Sequence, residues 1–267
     1  MTATVSASVP EGDEDRVVAV TGAASGIGAA VVAELEAGGA RVVGVDVHDA
    51  QVVADLSTPE GCAEAVRAVT EAAHGRLDGA VACAGLGPHV RPTAGIARVN
   101  YFGALRVLDG LLPALRGGTG PAAVAISSNS AGITPPDEPL LAALAAEDEA
   151  DALARAEALD GATVYGMSKL ALARAVRRRA QAWGAAGVRL NAVAPGPVDT
   201  PLLDASRADP TLGPLVDALP IPLARRARPQ EIASVVAFLL GARSSYVHGS
   251  VLFADGGSDA LLRPDEV

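Results

Sequence analysis

The sequence predicts an α/β fold, a single Rossmann-type doubly wound parallel sheet of about seven strands with helices on both faces. Two observations carry this. Short β-branched runs recur between longer Ala/Leu stretches of helical character. The strand runs are continuously apolar rather than alternating, as expected of strands buried on both faces beneath crossover helices. Composition agrees: half of the 267 residues are hydrophobic but only 3% are aromatic, which suits close helix–sheet packing through Ala, Val, Leu and Gly.

The elements follow in order. Residues 1–15 are small, polar and acidic, and read as a mobile N-terminal tail. Strands are expected at 16–20, 40–45, 51–54, 79–83, 122–126, 189–193 and 250–254. Helices are expected at 26–37, 59–73, 96–115, 162–182 and 229–240. No repeat or linker divides the stretch from residue 16 to 267, which reads as one domain. A formal net charge of −10 disfavours nucleic acid and anionic membranes as partners. Two cysteines, Cys62 and Cys83, stand in no metal-binding spacing and suit a reducing compartment. With no signal peptide and no membrane-length apolar run, a cytoplasmic location is expected.

The first strand enters the turn Thr21-Gly22-Ala23-Ala24-Ser25-Gly26-Ile27-Gly28 and then a helix. Glycines at a strand-to-helix turn let backbone approach a pyrophosphate, and the helix N-terminus offers free N–H groups to the anion. Asp46 ends the second strand. A carboxylate there accepts hydrogen bonds from ribose hydroxyls and repels a 2′-phosphate, and Val47 follows with no Arg or Lys beside it. NAD is therefore expected over NADP, with His48 the one nearby group that softens the preference. Tyr165 and Lys169 lie four apart on a helical stretch, hence on one face. An ammonium beside a phenol favours phenolate and lowers its pKa, which suits proton exchange with a carbonyl or alcohol oxygen. Taken alone, such a pair is most often a solvated helix face.

Together these residues resemble the short-chain dehydrogenase/reductase family over nearly the whole chain. The matching positions are Thr21 to Gly28, Asp46, Asp55-Leu56, Ala84-Gly85, Asn100, Ser127-Ser128, Tyr165 with Lys169, Pro195 to Thr200, and Asp255-Gly256-Gly257. The chain is most similar to the bacterial subgroup of hydroxysteroid dehydrogenases and carbonyl reductases. It shares with that subgroup Cys83-Ala84-Gly85 in place of the family's Asn-Ala-Gly. It also has a segment at 135–161 that spaces Ser128 and Tyr165 thirty-seven residues apart.

The resemblance implies an NAD(H)-dependent enzyme that interconverts a small apolar alcohol and its ketone, with a steroid or a similar alicyclic compound as substrate. A terpene or aryl alcohol is the alternative. It implies Tyr165 as acid/base and Lys169 as the group that lowers its pKa and bonds the nicotinamide ribose. Ser128 would hold the substrate oxygen, with Ser127 and Ser130 as competitors for that role. Asn100 would support a relay water through its backbone. For the cofactor it implies Gly22, Ser25, Gly26, Ile27 and Gly28 at the pyrophosphate, and Asp46 and Val47 at the adenosine ribose. Asp55 and Leu56 would meet the adenine, and Cys83, Ala84 and Gly85 the ribose and phosphates. Pro195, Gly196, Val198 and Thr200 would surround the nicotinamide. Cys83 reads as a buried small apolar residue, and the four histidines as structural or surface residues with no metal implied. The stretch 201–228 reads as a substrate lid, with core packing of a short helix as the alternative. The segment 135–161 is expected to overlook the same cleft, with its acidic run at 147–149 as a solvated helix start. The divergent enoyl reductases widen the Tyr–Lys spacing, and this chain does not. A homodimer or homotetramer is expected, with the dimer preferred.

Overall fold

The structure, a computed structural model, describes residues 16–266, so the expected tail at 1–15 lies outside the described residues. Seven strands form one sheet: β1 (Val17–Thr21), β2 (Arg41–Asp46), β3 (Val52–Val53), β4 (Gly79–Ala82), β5 (Ala122–Ile126), β6 (Arg189–Pro195) and β7 (Val251–Ala254). Their order is β3-β2-β1-β4-β5-β6-β7, and all six pairings are parallel. The chain winds outward from β1 in one direction and from β4 in the other. The crevice between these two strands is the switch point at which ligands of open α/β sheets bind.

The helices are α1 (Gly26–Ala37), α2 (Pro59–Ala72), α3 (Ala94–Ala97), α4 (Ala104–Leu115), α5 (Ser130–Ile133), α6 (Glu138–Ala145), α7 (Glu149–Glu157), α8 (Gly161–Ala185), α9 (Pro201–Ala208), α10 (Leu212–Asp217), α11 (Pro229–Leu240) and α12 (Ser258–Leu262). Side chains alternate across the sheet. Val18 and Val20 join Val31 and Leu35 of α1 and Val236 and Leu240 of α11 in one core. Ala19, Val43 and Ala80 face the other core, with Val69 of α2, Leu108 of α4 and Leu172 of α8. Asp78 is fully buried and accepts from the backbone N–H groups of Val17 (2.9 Å) and Thr119 (2.7 Å), which ties the sheet's N-terminal edge together. Among the described residues no helix is long and apolar enough to cross a membrane.

Two expectations change. The helix expected at 96–115 is broken into α3, a π-helical turn at Arg98–Gly103, and α4. The cause is visible at Asn100, which is fully buried. Its Oδ1 accepts from Leu86 N–H at 2.7 Å and its Nδ2 donates to Leu86 C=O at 3.0 Å. The widened turn aims that side chain at the loop after β4, and such turns are frequent where function sits.

The segment 135–161 does not overlook the cleft. It folds as α6 and α7, and Leu140, Leu144, Ala152 and Ala156 bury themselves fully in the core shared with α8. Their helical spacing is a core pattern, and it turns the segment away from the cavity described below. The acidic run is a helix start, as expected. Asp148 caps α7 by accepting from Asp151 N–H at 3.1 Å, while Glu149 pairs with Arg106 and Glu147 with Arg179. Replacing Leu144 by Ala should cost about 2–5 kcal/mol of unfolding free energy, read by denaturant titration, while leaving the KM for substrate near wild type.

Candidate functional site

The C-terminal ends of β1, β4, β5 and β6 open into a cavity of about 380 Å³. Its floor and one wall hold Gly22, Ser25, Gly26, Ile27, Gly28, Cys83, Gly85, Ser127, Ser128, Tyr165, Lys169, Pro195, Gly196, Val198 and Thr200. These residues are up to 178 positions apart (Gly22 to Thr200) in sequence, and the parallel sheet gathers them at one edge.

The glycine-rich turn is built for close approach. Gly22 has φ +70°, and a Cβ there would stand 2.8 Å from Ala84 Cα. A Cβ on Gly28 would collide with Gly22 O. Thr21 Oγ1 accepts from the N–H groups of Cys83 (3.1 Å) and Ala84 (3.0 Å), which locks β1 to the loop after β4. Asp46 fixes the turn from the other side, accepting from Ala24 N–H at 3.0 Å and from Val47 N–H at 2.7 Å. Helix α1 then begins at Ser25, whose side chain makes no capping bond, and its first turn carries no acidic residue. Its first N–H groups and positive dipole end thus face the cavity beside the glycines, an arrangement that fits a pyrophosphate.

Tyr165 and Lys169 project from α8 into the cavity, with the ammonium 5.8 Å from the phenol ring centroid. Lys169 is 4% exposed and its Nζ donates to Ile126 C=O at 2.8 Å. Burial pulls its pKa down to about 8. The phenol departs from the expectation of a lowered pKa. Burial pushes Tyr165 above its ordinary value, and a hydrogen bond with Ser128 acts in the opposite sense. Desolvation of the buried phenol outweighs that hydrogen bond.

The three serines separate cleanly. Ser127 Oγ donates to Lys169 C=O at 2.8 Å and is committed to α8. Among the described residues, Ser130 Oγ is buried with no partner. Ser128 lines the cavity, reaches the phenol, and accepts from Ser130 N–H at 3.2 Å.

Six of the anticipated residues do not line this cavity. Asn100 stands behind Gly85, where a Cβ would lie 3.2 Å from Asn100 Oδ1 and 3.5 Å from Lys169 Nζ. Ala84 is held by Thr21. Asp46, Val47 and Asp55 sit at the ends of β2 and β3, and Val47 and Asp55 are exposed. Leu56 is 5% exposed and belongs to the core. Thr200 Oγ1 caps α9, accepting from Leu203 N–H at 3.3 Å, and donates to Val198 C=O at 3.1 Å. Burial drives the Cys83 thiol up to about 12, so it is no thiolate nucleophile. Among the described residues no group of three His, Cys, Asp or Glu side chains could hold a metal ion.

The remaining wall is apolar. Leu202 and Leu203 of α9, Leu212, Leu215 and Val216 of α10, and Leu219 face Ile133, Thr134 and Ala162 across the cavity. Ile221, within the stretch 201–228 read as a lid, lies instead against Gly256. Pro88, Ile133, Thr134 and Ala162 were not foreseen. Gly166 lies within α8, and a side chain there would collide with Thr134.

A family model described as short chain dehydrogenase matches residues 16–140, and one described as Enoyl-(Acyl carrier protein) reductase matches residues 149–259. The chain is 48% identical over 254 residues to the 3-alpha-hydroxysteroid dehydrogenase/carbonyl reductase of Comamonas testosteroni, across 94% of this chain and 99% of that protein. The chain belongs to the short-chain dehydrogenase/reductase family. The same family fold appears in the crystal structure of 3-alpha-hydroxysteroid dehydrogenase from Pseudomonas sp. B-0831 complexed with NADH. That chain matches with a TM-score of 0.92 and 46% identity, across 94% of this chain and 100% of that one. The cis-4-hydroxycyclohexanecarboxylate dehydrogenase of Sinomonas cyclohexanicum is 32% identical, across 92% of this chain and 98% of that protein.

The buried lysine has a measurable signature. Below about pH 8 the ammonium is charged in the folded and unfolded protein alike, and its burial costs about 3 kcal/mol. Between about 8 and 10.5 the folded protein sheds a proton that the unfolded chain keeps, so stability rises with pH. Lys169→Met should remove this rise in denaturant titrations of the ligand-free protein, and should lower turnover by about a hundredfold or more.

Proposed function

We propose that this family member is an NAD(H)-dependent oxidoreductase that interconverts a secondary alcohol and a ketone, with a 3α-hydroxysteroid or similarly apolar alicyclic compound as substrate. The carrying observation is the convergence of Ser128, Tyr165 and Lys169 on the floor of a cavity whose opposite wall is apolar. The named activities of the Comamonas and Pseudomonas relatives support the same reading.

In this reading NAD(H), when bound, exchanges a hydride with the substrate carbon. The protein's own work is to hold and to move one proton. Tyr165 gives its phenolic proton to the ketone oxygen, or takes it from the alcohol. Ser128 donates a hydrogen bond to that oxygen and stabilises the charge that develops on it. Lys169 favours the phenolate once the proton has left, because a charge in this water-poor site acts more strongly than in solvent. Asn100 supports a relay water through its backbone, in the π-helical turn where the regular ladder is interrupted.

The chain's residues fit the cofactor. Gly22, Ser25, Gly26, Ile27 and Gly28 take the pyrophosphate on the uncapped start of α1. Asp46 and Val47 take the adenosine ribose, and Asp46 disfavours a 2′-phosphate. Asp55 and Leu56 meet the adenine, with Leu56 acting through backbone and packing. Cys83, Ala84 and Gly85 line the path between, and Pro195, Gly196, Val198 and Thr200 flank the nicotinamide. The substrate lid, expected over 201–228, is read over 201–219, the part that lines the cavity, within one catalytic domain that starts at residue 16. A cytoplasmic, homodimeric protein completes the reading, and the two free thiols suit a reducing compartment.

The match to an enoyl reductase model raises a second reading, reduction of a carbon–carbon double bond. The four-residue spacing of Tyr165 and Lys169 favours carbonyl chemistry. Steady-state rates on a panel of cyclic ketones, secondary alcohols and enoyl thioesters separate the two. Tyr165→Phe should lower kcat on the ketone by about 10²–10⁴-fold while leaving the Kd for NADH within about twofold. Near wild-type turnover in that variant would remove Tyr165 from the chemistry.

A further inference from the structure

Two chain segments meet at the rim of the cavity: the loop after β4, which carries Gly87, Pro88 and His89, and helix α9 of the lid. His89 Nδ1 lies 3.1 Å from Ser206 Oγ. Ser206 is 2% exposed, and its Oγ donates to Leu202 C=O at 2.9 Å, one turn back on α9. A hydroxyl has one proton and two lone pairs. With its proton committed to Leu202, Ser206 Oγ accepts from His89, so His89 carries its hydrogen on Nδ1. The packing around this bond is tight. A Cβ on Gly87 would stand 2.7 Å from His89 Cε1 and 3.1 Å from Leu202 Cδ2, so the loop, the imidazole and the lid leucine stack closely. Asp209 follows α9, and its carboxyl is held below its usual range. The N–H groups of Leu212 and Thr211 lower it most, and Arg91 and His89 of the same loop add to this.

We propose that His89 is a positioning residue that latches the lid over the cavity and thereby sets how firmly an apolar substrate is held. This rests on reading the cavity as the substrate site. His89 acts through Ser206: the bond fixes α9, and α9 fixes Leu202 and Leu203 in the cavity wall. The lid is also braced within itself. Arg207 of α9 pairs with Asp217 of α10 at 2.9 Å, and Asp217 also pairs with Arg226, beyond the lid, at 2.9 Å. With α9 and α10 joined in this way, the His89–Ser206 contact at the rim bears on both helices.

The test compares wild type, His89→Ala and His89→Asn. Asparagine places an N–H donor close to the position of imidazole Nδ1. Two readouts are taken: hydrogen–deuterium exchange of the segment 201–219 in the ligand-free protein, and kinetics with a cyclic ketone and NADH. His89→Ala should speed exchange across the segment and raise KM for the ketone about five- to tenfold, with kcat held or raised and the Kd for NADH within about twofold. His89→Asn should return both exchange and KM close to wild type. Unchanged exchange and KM in His89→Ala would overturn the proposal, as would identical behaviour of the Ala and Asn variants. If the wild type turns over no cyclic ketone, the substrate reading fails, while the exchange data still decide whether His89 holds the lid.

Discussion

Lys169 and the end of β5 hold each other by two bonds. Its ammonium donates to Ile126 C=O at 2.8 Å, and its own backbone C=O accepts from Ser127 Oγ at 2.8 Å. The rest of the site hangs on this exchange. It fixes the rotation of α8 against the sheet, which decides that Tyr165 faces the cavity. It also fixes the strand end from which Ser128 emerges one residue later. The same strand end is anchored to β6, where Ser127 N–H donates to Val193 C=O at 2.7 Å and Asn129 N–H donates to Pro195 C=O at 2.8 Å. A cation so far from water weakens the ligand-free fold, yet charge in such a place is what can make a buried phenol a useful acid. Stability is given up locally where the chemistry needs charge.

The cofactor end works by geometry rather than by charge. A helix that starts without a side-chain cap has N–H groups to offer, and glycines on both sides of its start keep the backbone bare. Asp46 and Thr21 brace this turn through bonds to backbone N–H groups, so its shape is set before any ligand arrives. Opposite it, the apolar side chains of α9 and α10 supply an adaptable wall. A rigid polar floor and an apolar lid divide the labour between orientation and recognition.

Much of this was legible in the sequence because it depends on short-range rules. The bounds of α1, β5 and α11 follow from their apolar runs and from the residues that flank them. The glycine turn, Asp46, and the pair Tyr165/Lys169 announce themselves by residue type and spacing. What was not legible depends on contacts between distant segments. The π-helical turn is imposed by Asn100 reaching Leu86, and nothing in the run 96–115 encodes that partner. The inward turn of 135–161 is set by the fit of Leu140 and Leu144 against α8, whereas the sequence shows only an amphipathic stretch near the site. The raised phenol reflects burial, a property of the whole fold that four-residue spacing does not report. His89 looked like one more scattered histidine because Ser206 lies 117 residues away.

A crystal structure of the protein with NADH and a non-reacting steroid ketone analogue would decide whether Tyr165 and Ser128 hold the reacting oxygen. The analogue's oxygen should lie within about 3 Å of both Tyr165 Oη and Ser128 Oγ, with Lys169 still buried beside the phenol. An analogue bound with its oxygen away from Tyr165, or a phenol rotated out of the cavity, would contradict it.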